Sequence, residues 1–500
     1  MNENMQIVFG LLGGLAIFIY GMNMMSECLQ KAAGEKMKSI LALLTKNPVL
    51  GVLAGALTTA VLQSSSATTV MAIGFVSAGL MNLPQAISII FGANIGTTMT
   101  AQIIAFKISD YIYIIIFVGF IIAFIAKSEK AKSIGQTIFA FGLLFLGIET
   151  MGDVMKPLAS SPMFTQLIAS VKHIPVLGVG VGTLMTLVVQ SSSATIAVLQ
   201  NFAAQAGPDG MTSILGLTGA IPILLGDNIG TTITALLASI GQTKDAKRTA
   251  VAHCIFNISG SFLFIWFVKP YATLIRFISP KGPEVEVISR QIANAHTCFN
   301  ITMTLIWVCL IGVMVKIVMF LIPDGRKTES DPFETLYLDE NVKNQPAAAL
   351  QLVAKEILHL SDQVKKVLHD TVTVVKENQM QGVDKIQEES AKVTKLTDKI
   401  TDYLAGLFSS GLLTEQQASQ TAGLMYVLGD VERIGNLSAG IALSMKEKET
   451  NQYKYSQEAM DELAKCLKTL EKMFDSATKA LRGDTTVELE KLMKRKDKIV

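Results

Sequence analysis

The chain has 500 residues, of which half are apolar and only 17% are charged, and its formal net charge is +2. Soluble domains average about a quarter charged residues, so part of this chain is expected to lie outside water. The net charge says nothing about partners, but the sequence has no basic stripe interleaved with aromatic residues, so nucleic acid is not an expected partner. None of the five cysteines forms a CxxC pair, so the sequence predicts neither that kind of zinc site nor a disulfide framework.

The composition changes near Pro323. Long uncharged runs fill the chain before that residue, and Lys, Glu, Asp and Gln are dense after it. The change predicts two environments, lipid first and water second. We therefore expect a membrane transport domain at 1–322, a linker at 323–349 and a soluble helical domain at 350–500.

Several apolar runs are long enough to cross a bilayer, which takes about 20 residues of helix. Lys and Arg in the loops between them favour the cytoplasmic side. Threading the runs accordingly puts the N-terminus outside and the C-terminal domain in the cytoplasm. The sequence thus predicts an all-α, multi-pass protein of the plasma (cell inner) membrane. The seven predicted crossings are 5–25, 84–105, 111–126, 134–151, 214–239, 249–270 and 295–322.

Two further apolar stretches, 49–79 and 174–204, are each interrupted by the polar sequence QSSSA. Unsatisfied Gln and Ser groups cannot face lipid, because each would cost several kcal/mol. We predict that both stretches are re-entrant hairpins whose polar tips end near the middle of the membrane. The alternative is a pair of ordinary helical hairpins with a polar turn at the surface.

The first part of the chain repeats itself. An odd number of crossings in each copy would invert the second copy relative to the first, as in many secondary transporters. Two inverted repeats are therefore predicted, at about 5–126 and 134–270, and the two polar tips are expected to meet near the midplane. The matches are NPVLGVLAG at 47–55 with IPVLGVGVG at 174–182, QSSSAT at 63–68 with 190–195 (offset 190 − 63 = 127), and FGANIGTTMTA at 91–101 with LGDNIGTTITA at 225–235.

The tips and the NIGTT segments collect hydroxyl and amide groups. Unpaired N–H groups at a helix N-terminus attract anions, while Ser, Thr and Asp oxygens suit small hard cations. This chemistry fits an oxyanion together with cations. The candidate binding residues are Gln63, Ser64, Ser65, Ser66, Thr68, Asn94, Thr97, Thr98, Gln190, Ser191, Ser192, Ser193, Thr195, Asp227, Asn228, Thr231 and Thr232.

Asp227 is the sharpest single candidate, since an ionisable group inside a membrane is costly and suggests a function. It takes the place of Ala93 in the first repeat, so only one copy of the site carries a carboxylate. We predict a cation ligand; the alternative is a carboxylate that only caps a helix.

A second repeated motif occurs as HCIFN and HTCFN. In a helix His253 shares a face with Asn257, and His296 shares one with Asn300. Hydrogen bonds between helices are the favoured interpretation, and direct ligand binding is the alternative.

Paired QSSSAT segments, each followed by G[AD]NIGTT and then by HxxFN, resemble the sodium-dependent phosphate cotransporter family. The resemblance covers roughly 5–322 and implies sodium-coupled movement of inorganic phosphate. It also implies that 63–66 and 190–193 form the phosphate and sodium site. An ATPase is excluded, because GANIGTT lacks the Lys of a phosphate-binding loop. No enzymatic activity is expected.

The C-terminal part, about 350–500, looks like a PhoU-like phosphate-regulatory domain. The resemblance implies acidic metal-binding pairs, which here would be Asp398 with Asp402, and Glu432 with Asn436 in place of a second acid. A possible divalent metal site competes with a solvated helix face as the interpretation. The chain ends at LMKRKDKIV, which predicts an incomplete bundle. A helix-bundle stripe is formed by Leu350, Val353, Ile357, Leu360, Val364, Val367 and Val374.

The resulting hypothesis is alternating access, with phosphate and sodium held between the repeats and regulation by the cytosolic domain. Direction, sodium stoichiometry and homo-oligomerisation are left open. One alternative is a membrane receptor that senses phosphate without net transport. Another is a carrier for a different oxyanion.

Overall fold

The computed structural model of the chain describes residues 3–42, 47–77, 79–106, 108–159, 174–207, 209–323, 335–377, 380–453 and 455–482. Across these residues every regular element is a helix, as the sequence predicts. The chain divides into two units, Met1–Gly325 and Arg326–Val500.

The first unit contains fourteen α-helices within its described residues. They are α1 (Glu3–Ala42), α2 (Pro48–Leu62), α3 (Ser65–Ser77), α4 (Leu83–Ile104), α5 (Ile112–Ile125), α6 (Glu129–Ala159), α7 (Pro175–Val189), α8 (Ser192–Ala203), α9 (Gly216–Gly230), α10 (Thr232–Ala238), α11 (Lys244–Ile265), α12 (Val268–Ile278), α13 (Glu284–Cys309) and α14 (Ile311–Leu321).

Long apolar helices confirm the prediction of a membrane protein. Large apolar side chains on α5 and α14 are also exposed, which suits a lipid environment, with Phe124 at 78% and Phe320 at 85%. Six stretches of the described chain are long and apolar enough to cross: Met5–Leu29, Leu83–Ile104, Glu129–Val154, Gly216–Ala238, Lys244–Ile265 and Glu284–Cys309.

Two predicted crossings differ from the structure. The run at 111–126 forms α5, which has 14 residues. At 1.5 Å per residue such a helix extends about 21 Å, short of the roughly 30 Å hydrocarbon core, so α5 is not among the six stretches above and a crossing at 111–126 stays a prediction. The last crossing begins earlier than 295–322, because α13 starts at Glu284 and the helix breaks at Leu310.

Glycines bring the helices of each repeat into close contact. A Cβ at Gly55 of α2 would collide with the carbonyl of Ile89 on α4. The second repeat has the same arrangement, since a Cβ at Gly182 of α7 would collide with the carbonyl of Ile223 on α9. Only glycine allows backbones to approach this closely, so α2–α4 and α7–α9 form matching tight pairs.

The described residues of the second unit form a bundle of four α-helices: α15 (Pro346–Glu377), α16 (Val383–Ser409), α17 (Glu415–Thr450) and α18 (Gln457–Leu481). Helix α15 packs against each of the other three. The predicted apolar stripe is confirmed, because all seven of its side chains, from Leu350 to Val374, are buried.

Part of the predicted linker belongs to this bundle. Helix α15 begins at Pro346 rather than 350, and the carboxylate of Glu356 accepts hydrogen bonds from the backbone N–H groups of Leu336, Tyr337 and Leu338 at 2.7–3.3 Å. Glu356 therefore ties the preceding segment to the bundle. The predicted incompleteness of the bundle concerns 483–500, which lie outside the described residues.

Candidate functional site

Both QSSS segments interrupt a helix in the same way. Gln63 ends α2 with φ of 52°, and Gln190 ends α7 with φ of 57°. This is a left-handed backbone conformation that residues other than glycine rarely adopt. Each glutamine donates a hydrogen bond from its own side-chain amide to a carbonyl of the helix it ends, Ala60 in one case and Leu187 in the other. Helices α2 and α7 therefore end in the same way, at Gln63 and Gln190.

The next residue at each break caps the following helix. The hydroxyl of Ser64 accepts a hydrogen bond from the N–H of Ala67 at 3.2 Å, and that of Ser191 accepts one from Ala194 at 3.3 Å. Such caps set where α3 and α8 begin. The N-terminal turns of α3 and α8 are consequently built from Ser65 and Ser66 and from Ser192 and Ser193.

A threonine pair lies beneath each break. Thr59 donates to Thr68 at 2.8 Å in the first repeat, and the hydroxyls of Thr186 and Thr195 lie 3.1 Å apart, within hydrogen-bond distance, in the second. All four are buried. Sequence analysis missed Thr59 and Thr186, although they recur at the same offset of 127 as the two QSSS segments and could have been found that way.

Asp227 lies beneath the second break. Its side chain is fully buried on α9, and one oxygen accepts a hydrogen bond from Thr186 at 2.6 Å. The other oxygen has no hydrogen-bond partner within the described part of the chain. Ala93 occupies the matching place in the first repeat and is also buried. The structure thus brings an oxygen cluster of Asp227, Thr186 and Thr195 together in one repeat only.

The helices that follow the breaks pack against the opposite repeat. The hydroxyl of Thr234 on α10 donates to Ser66 on α3 at 3.0 Å. The side-chain amide of Gln200 on α8 donates to the carbonyl of Ala101 on α4 at 3.1 Å. Within the first repeat, Gln63 also accepts a hydrogen bond from Thr100 of α4 at 3.0 Å. The first tip, through Ser66, and the later part of α8, through Gln200, therefore contact the opposite repeat.

Some residues of the NIGTT segments contact a neighbouring helix, and others form hydrogen bonds only to nearby residues of the chain. His253 contacts the side-chain oxygen of Asn94 at 3.3 Å, and His296 contacts that of Asn228 at 3.0 Å. The favoured interpretation of the HxxFN motif, hydrogen bonding between helices, is confirmed for the two histidines. The remaining NIGTT candidates are buried, with Thr98, Thr231 and Thr232 each donating to a carbonyl three or four residues earlier in the chain and Thr97 beside them.

The two tips differ in exposure. Gln63 is 8% exposed, whereas Gln190 is exposed, and Ser64, Ser66, Ser191 and Ser192 are intermediate. The two repeats therefore share the same hydrogen bonds but differ in how exposed their tips are.

The divalent metal site expected on the soluble unit is not supported. Asp398 and Asp402 are exposed on α16, while Glu432 is half-buried on α17 and accepts a hydrogen bond from Asn436 at 3.5 Å. Among the described residues, no group of three or more His, Cys, Asp or Glu side chains could hold a metal. Because Asn436 stands where a second acid is needed, the pair lacks the required negative charge.

Comparisons with known proteins follow the same division of the chain. Residues 17–153 and 149–279 match the model of the Na+/Pi-cotransporter family, and residues 357–445 match that of the PhoU domain. No solved structure matches the chain significantly.

Curated relatives include proteins named for phosphate transport. "Uncharacterized protein YqeW" of Bacillus subtilis is 32% identical over 53% of this chain and 84% of its own length. "Putative inorganic phosphate export protein YjbB" of Salmonella typhimurium is 24% identical over 80% of this chain and 69% of its own. "Sodium-dependent phosphate transport protein 2A" of Rattus norvegicus is 38% identical over 19% of this chain and 15% of its own. Because the first family model covers more than half of the chain, the protein belongs to the Na+/Pi-cotransporter family, and it carries a C-terminal PhoU domain.

Proposed function

We propose that this protein moves inorganic phosphate across the plasma membrane together with sodium, by alternating access between its two repeats. The observation that carries the proposal is the pair of matching breaks at Gln63 and Gln190, whose following helices each pack against the opposite repeat. A ligand held between the two tips would contact both repeats. Rocking of one repeat against the other would then change the side from which that ligand is reached.

Phosphate fits the two helix N-termini. The first N–H groups of a helix have no intrahelical partner, and the helix dipole is positive there. At α3 these groups belong to Ser65 and Ser66, and at α8 to Ser192 and Ser193, each with a hydroxyl beside it. Two such N-termini supply backbone and hydroxyl donors for the oxygens of one phosphate ion.

Sodium fits the oxygen-rich positions beneath the tips. The buried carboxylate of Asp227 lies with Thr186, which itself contacts Thr195. Oxygen ligands and a nearby negative charge suit a small hard cation, and a buried carboxylate without a cation would be costly. Asp227 is therefore proposed as a sodium ligand, and Asn94, Thr97 and their counterparts in the second repeat extend the site.

The proposed mechanism requires the two hairpins to be re-entrant and the repeats to be inverted. Each hairpin helix has 12–15 residues, which is less than a full crossing needs. Helix α5 would complete the first repeat as a short crossing, extended by the turn at Ser109–Tyr111 and accommodated by local thinning of the bilayer. Inversion of the second repeat follows from this count.

The membrane potential bears on direction. Moving one charge through 100 mV is worth about 2.3 kcal/mol, so entry of a divalent anion into a negative interior needs coupled cations, while exit is electrically downhill. Relatives named as phosphate export proteins match 80% of this chain, more than its membrane unit contains, and they favour outward movement. We further propose that the PhoU domain is cytoplasmic and regulates transport.

The test is flux of radiolabelled phosphate in proteoliposomes of the full chain, with and without an imposed sodium gradient. Flux that follows the gradient and resists competition by sulfate supports the proposal. Phosphate binding without flux would instead establish a sensor, and sulfate flux at an equal rate would establish a general oxyanion carrier.

A further inference from the structure

Two histidine–asparagine pairs lie deep in the membrane unit, on helices α11 and α13 rather than on the hairpins. His253 and Asn257 are one turn apart on α11, and His296 and Asn300 are one turn apart on α13. None of the four side chains is more than 1% exposed. Polar groups buried this deeply need partners, so their hydrogen bonds can be followed atom by atom.

Helices α11 and α13 each contact both α4 and α9, but in opposite order along the chain. On α11, His253 contacts Asn94 of α4 at one level, and two turns later Ser261 donates to the carbonyl of Leu225 on α9 at 3.2 Å. On α13, His296 contacts Asn228 of α9 at 3.0 Å.

Two turns after His296, Thr304 donates to the carbonyl of Phe91 on α4 at 3.2 Å. Phe91 and Leu225 begin the matching FGANIGTT and LGDNIGTT segments. Helix α11 thus contacts α4 first and α9 two turns later, whereas α13 contacts α9 first and α4 two turns later. Asn257 and Asn300, each midway between the two contact levels of its helix, occupy equivalent positions between α4 and α9.

Both asparagines turn an oxygen toward the interior. The amide nitrogen of Asn257 donates to the carbonyl of His253 at 3.2 Å, and that of Asn300 donates to the carbonyl of His296 at 3.0 Å. These bonds fix the orientation of each amide, because its oxygen would repel the same carbonyl. The side-chain oxygens of Asn257 and Asn300 are buried and have no partner within the described part of the chain.

The ring of His253 adds another acceptor. Asn94 donates through its amide nitrogen to the carbonyl of Ile90 at 2.8 Å, so its oxygen faces His253 as an acceptor. His253 must then donate through Nε2, which leaves Nδ1 with a lone pair. That Nδ1 atom is buried without a described partner, as is Nδ1 of His296. The atoms of these histidines and asparagines that lack a partner are therefore mainly hydrogen-bond acceptors.

Buried acceptors without donors call for a cation or for water bound around one. Amide oxygens are ligands for hard cations, and imidazole nitrogens can accept hydrogen bonds from the waters of such an ion. The middle turns of α4, α9, α11 and α13 carry a single carboxylate, Asp227, next to Asn228. This modest negative charge suits a monovalent cation better than a divalent one.

We propose that Asn257 and Asn300 bind a sodium ion between α4, α9, α11 and α13, through side chains that do not belong to the hairpin tips. The inference rests on the proposed function and deepens it by locating a coupling ion. The site would also link the two repeats, because each asparagine lies between a helix of one and a helix of the other.

The test is sodium binding by the purified full chain in detergent without phosphate. The thermal unfolding midpoint is followed against sodium concentration, with choline keeping the ionic strength constant, and bound ²²Na⁺ is counted. Asn257→Ala and Asn300→Ala are compared with Ser261→Ala and Thr304→Val, matched controls on the same helices whose hydroxyls donate to backbone carbonyls. Each asparagine variant is expected to need at least about tenfold more sodium for half-maximal stabilisation.

The double variant Asn257→Ala with Asn300→Ala is expected to bind one sodium ion fewer, while both controls keep the wild-type count. Wild-type sodium affinity and count in either folded asparagine variant would overturn the assignment, since the buried acceptors would then hold water alone. Circular dichroism and size-exclusion chromatography identify folded variants, and two positions on separate helices guard against a folding failure at one. Absence of sodium-driven phosphate flux in the wild type would sink the proposed function instead, without changing this binding result.

Discussion

Thr186 donates a hydrogen bond to Asp227 at 2.6 Å beneath the second polar tip, whereas the first repeat has Ala93 in the place of the aspartate. The two copies therefore share a backbone arrangement but differ in charge. A transport cycle built on them would be asymmetric, with one cation held most tightly in the second repeat.

Replacing Asp227 with asparagine should weaken the use of sodium. The Asp227→Asn variant keeps the shape of the side chain but loses the charge that attracts a cation. We expect the sodium concentration for half-maximal phosphate flux to rise by at least about tenfold. The control is Asp209→Asn, the same change at an aspartate whose oxygens accept hydrogen bonds from Met211 and Thr212 in an exposed turn. An unchanged sodium dependence in Asp227→Asn would contradict the assignment.

Cysteine labelling should detect the unequal access to the tips. In a chain whose five native cysteines are replaced, a cysteine at Gln190 is expected to react at least about tenfold faster with a membrane-impermeant maleimide than one at Gln63. The reason is that Gln190 is exposed while Gln63 is 8% exposed. Equal rates at the two positions would show that the tips are equally accessible.

Close packing of the hairpins should make two glycines irreplaceable. Gly55→Ala or Gly182→Ala places a methyl group against a backbone carbonyl of the neighbouring helix, and such overpacking destabilises by about 1–3 kcal/mol. Gly180→Ala is the control within α7, because no packed neighbour lies within 4 Å of the position that its Cβ would take, and alanine should stabilise that helix by about 0.5–1 kcal/mol. Unfolding midpoints in detergent would measure the difference, and equal midpoints for all three variants would refute it.

Glu356 should hold the segment that precedes the soluble bundle. The Glu356→Gln change puts an amide donor against backbone N–H groups and is expected to destabilise that attachment by about 3 kcal/mol. Hydrogen exchange at Leu336, Tyr337 and Leu338 would then accelerate. Glu340→Gln is the control: the side chain of Glu340 is 74% exposed and pairs with Lys343, so its replacement should leave exchange unchanged. Unaltered exchange in Glu356→Gln would argue against the tether.

Much of the fold follows from local patterns in the sequence. The apolar stripe beginning at Leu350 predicts a buried bundle face, and the structure confirms it, because a helical period alone fixes which side chains point inward. The polar interruption at Gln63 also predicts where a helix ends, since QSSS breaks an apolar run. The length of α5 was harder to predict, because an apolar run gives no helix boundary where caps are missing.

The site is less predictable, because its contacts join residues that are far apart in sequence. Asp227 stands out as a charge in an apolar run, but its partner Thr186 is 41 positions away and resembles any other threonine in a helix. The expected metal ligands Asp398 and Asp402 fail for the converse reason, since one helix face alone cannot enclose an ion.

The most direct test of the central claim is sodium-driven phosphate flux after substitution of Ser65 and Ser192 at the two tips. Leucine at either position adds bulk to the first turn of α3 or α8, where the proposed site lies, while Ser128→Leu, at an exposed cap of α6, serves as the control. We predict that Ser65→Leu and Ser192→Leu abolish flux in proteins that remain monodisperse and helical, and that the control retains it. Full flux in both tip variants would contradict transport through a site between the two tips.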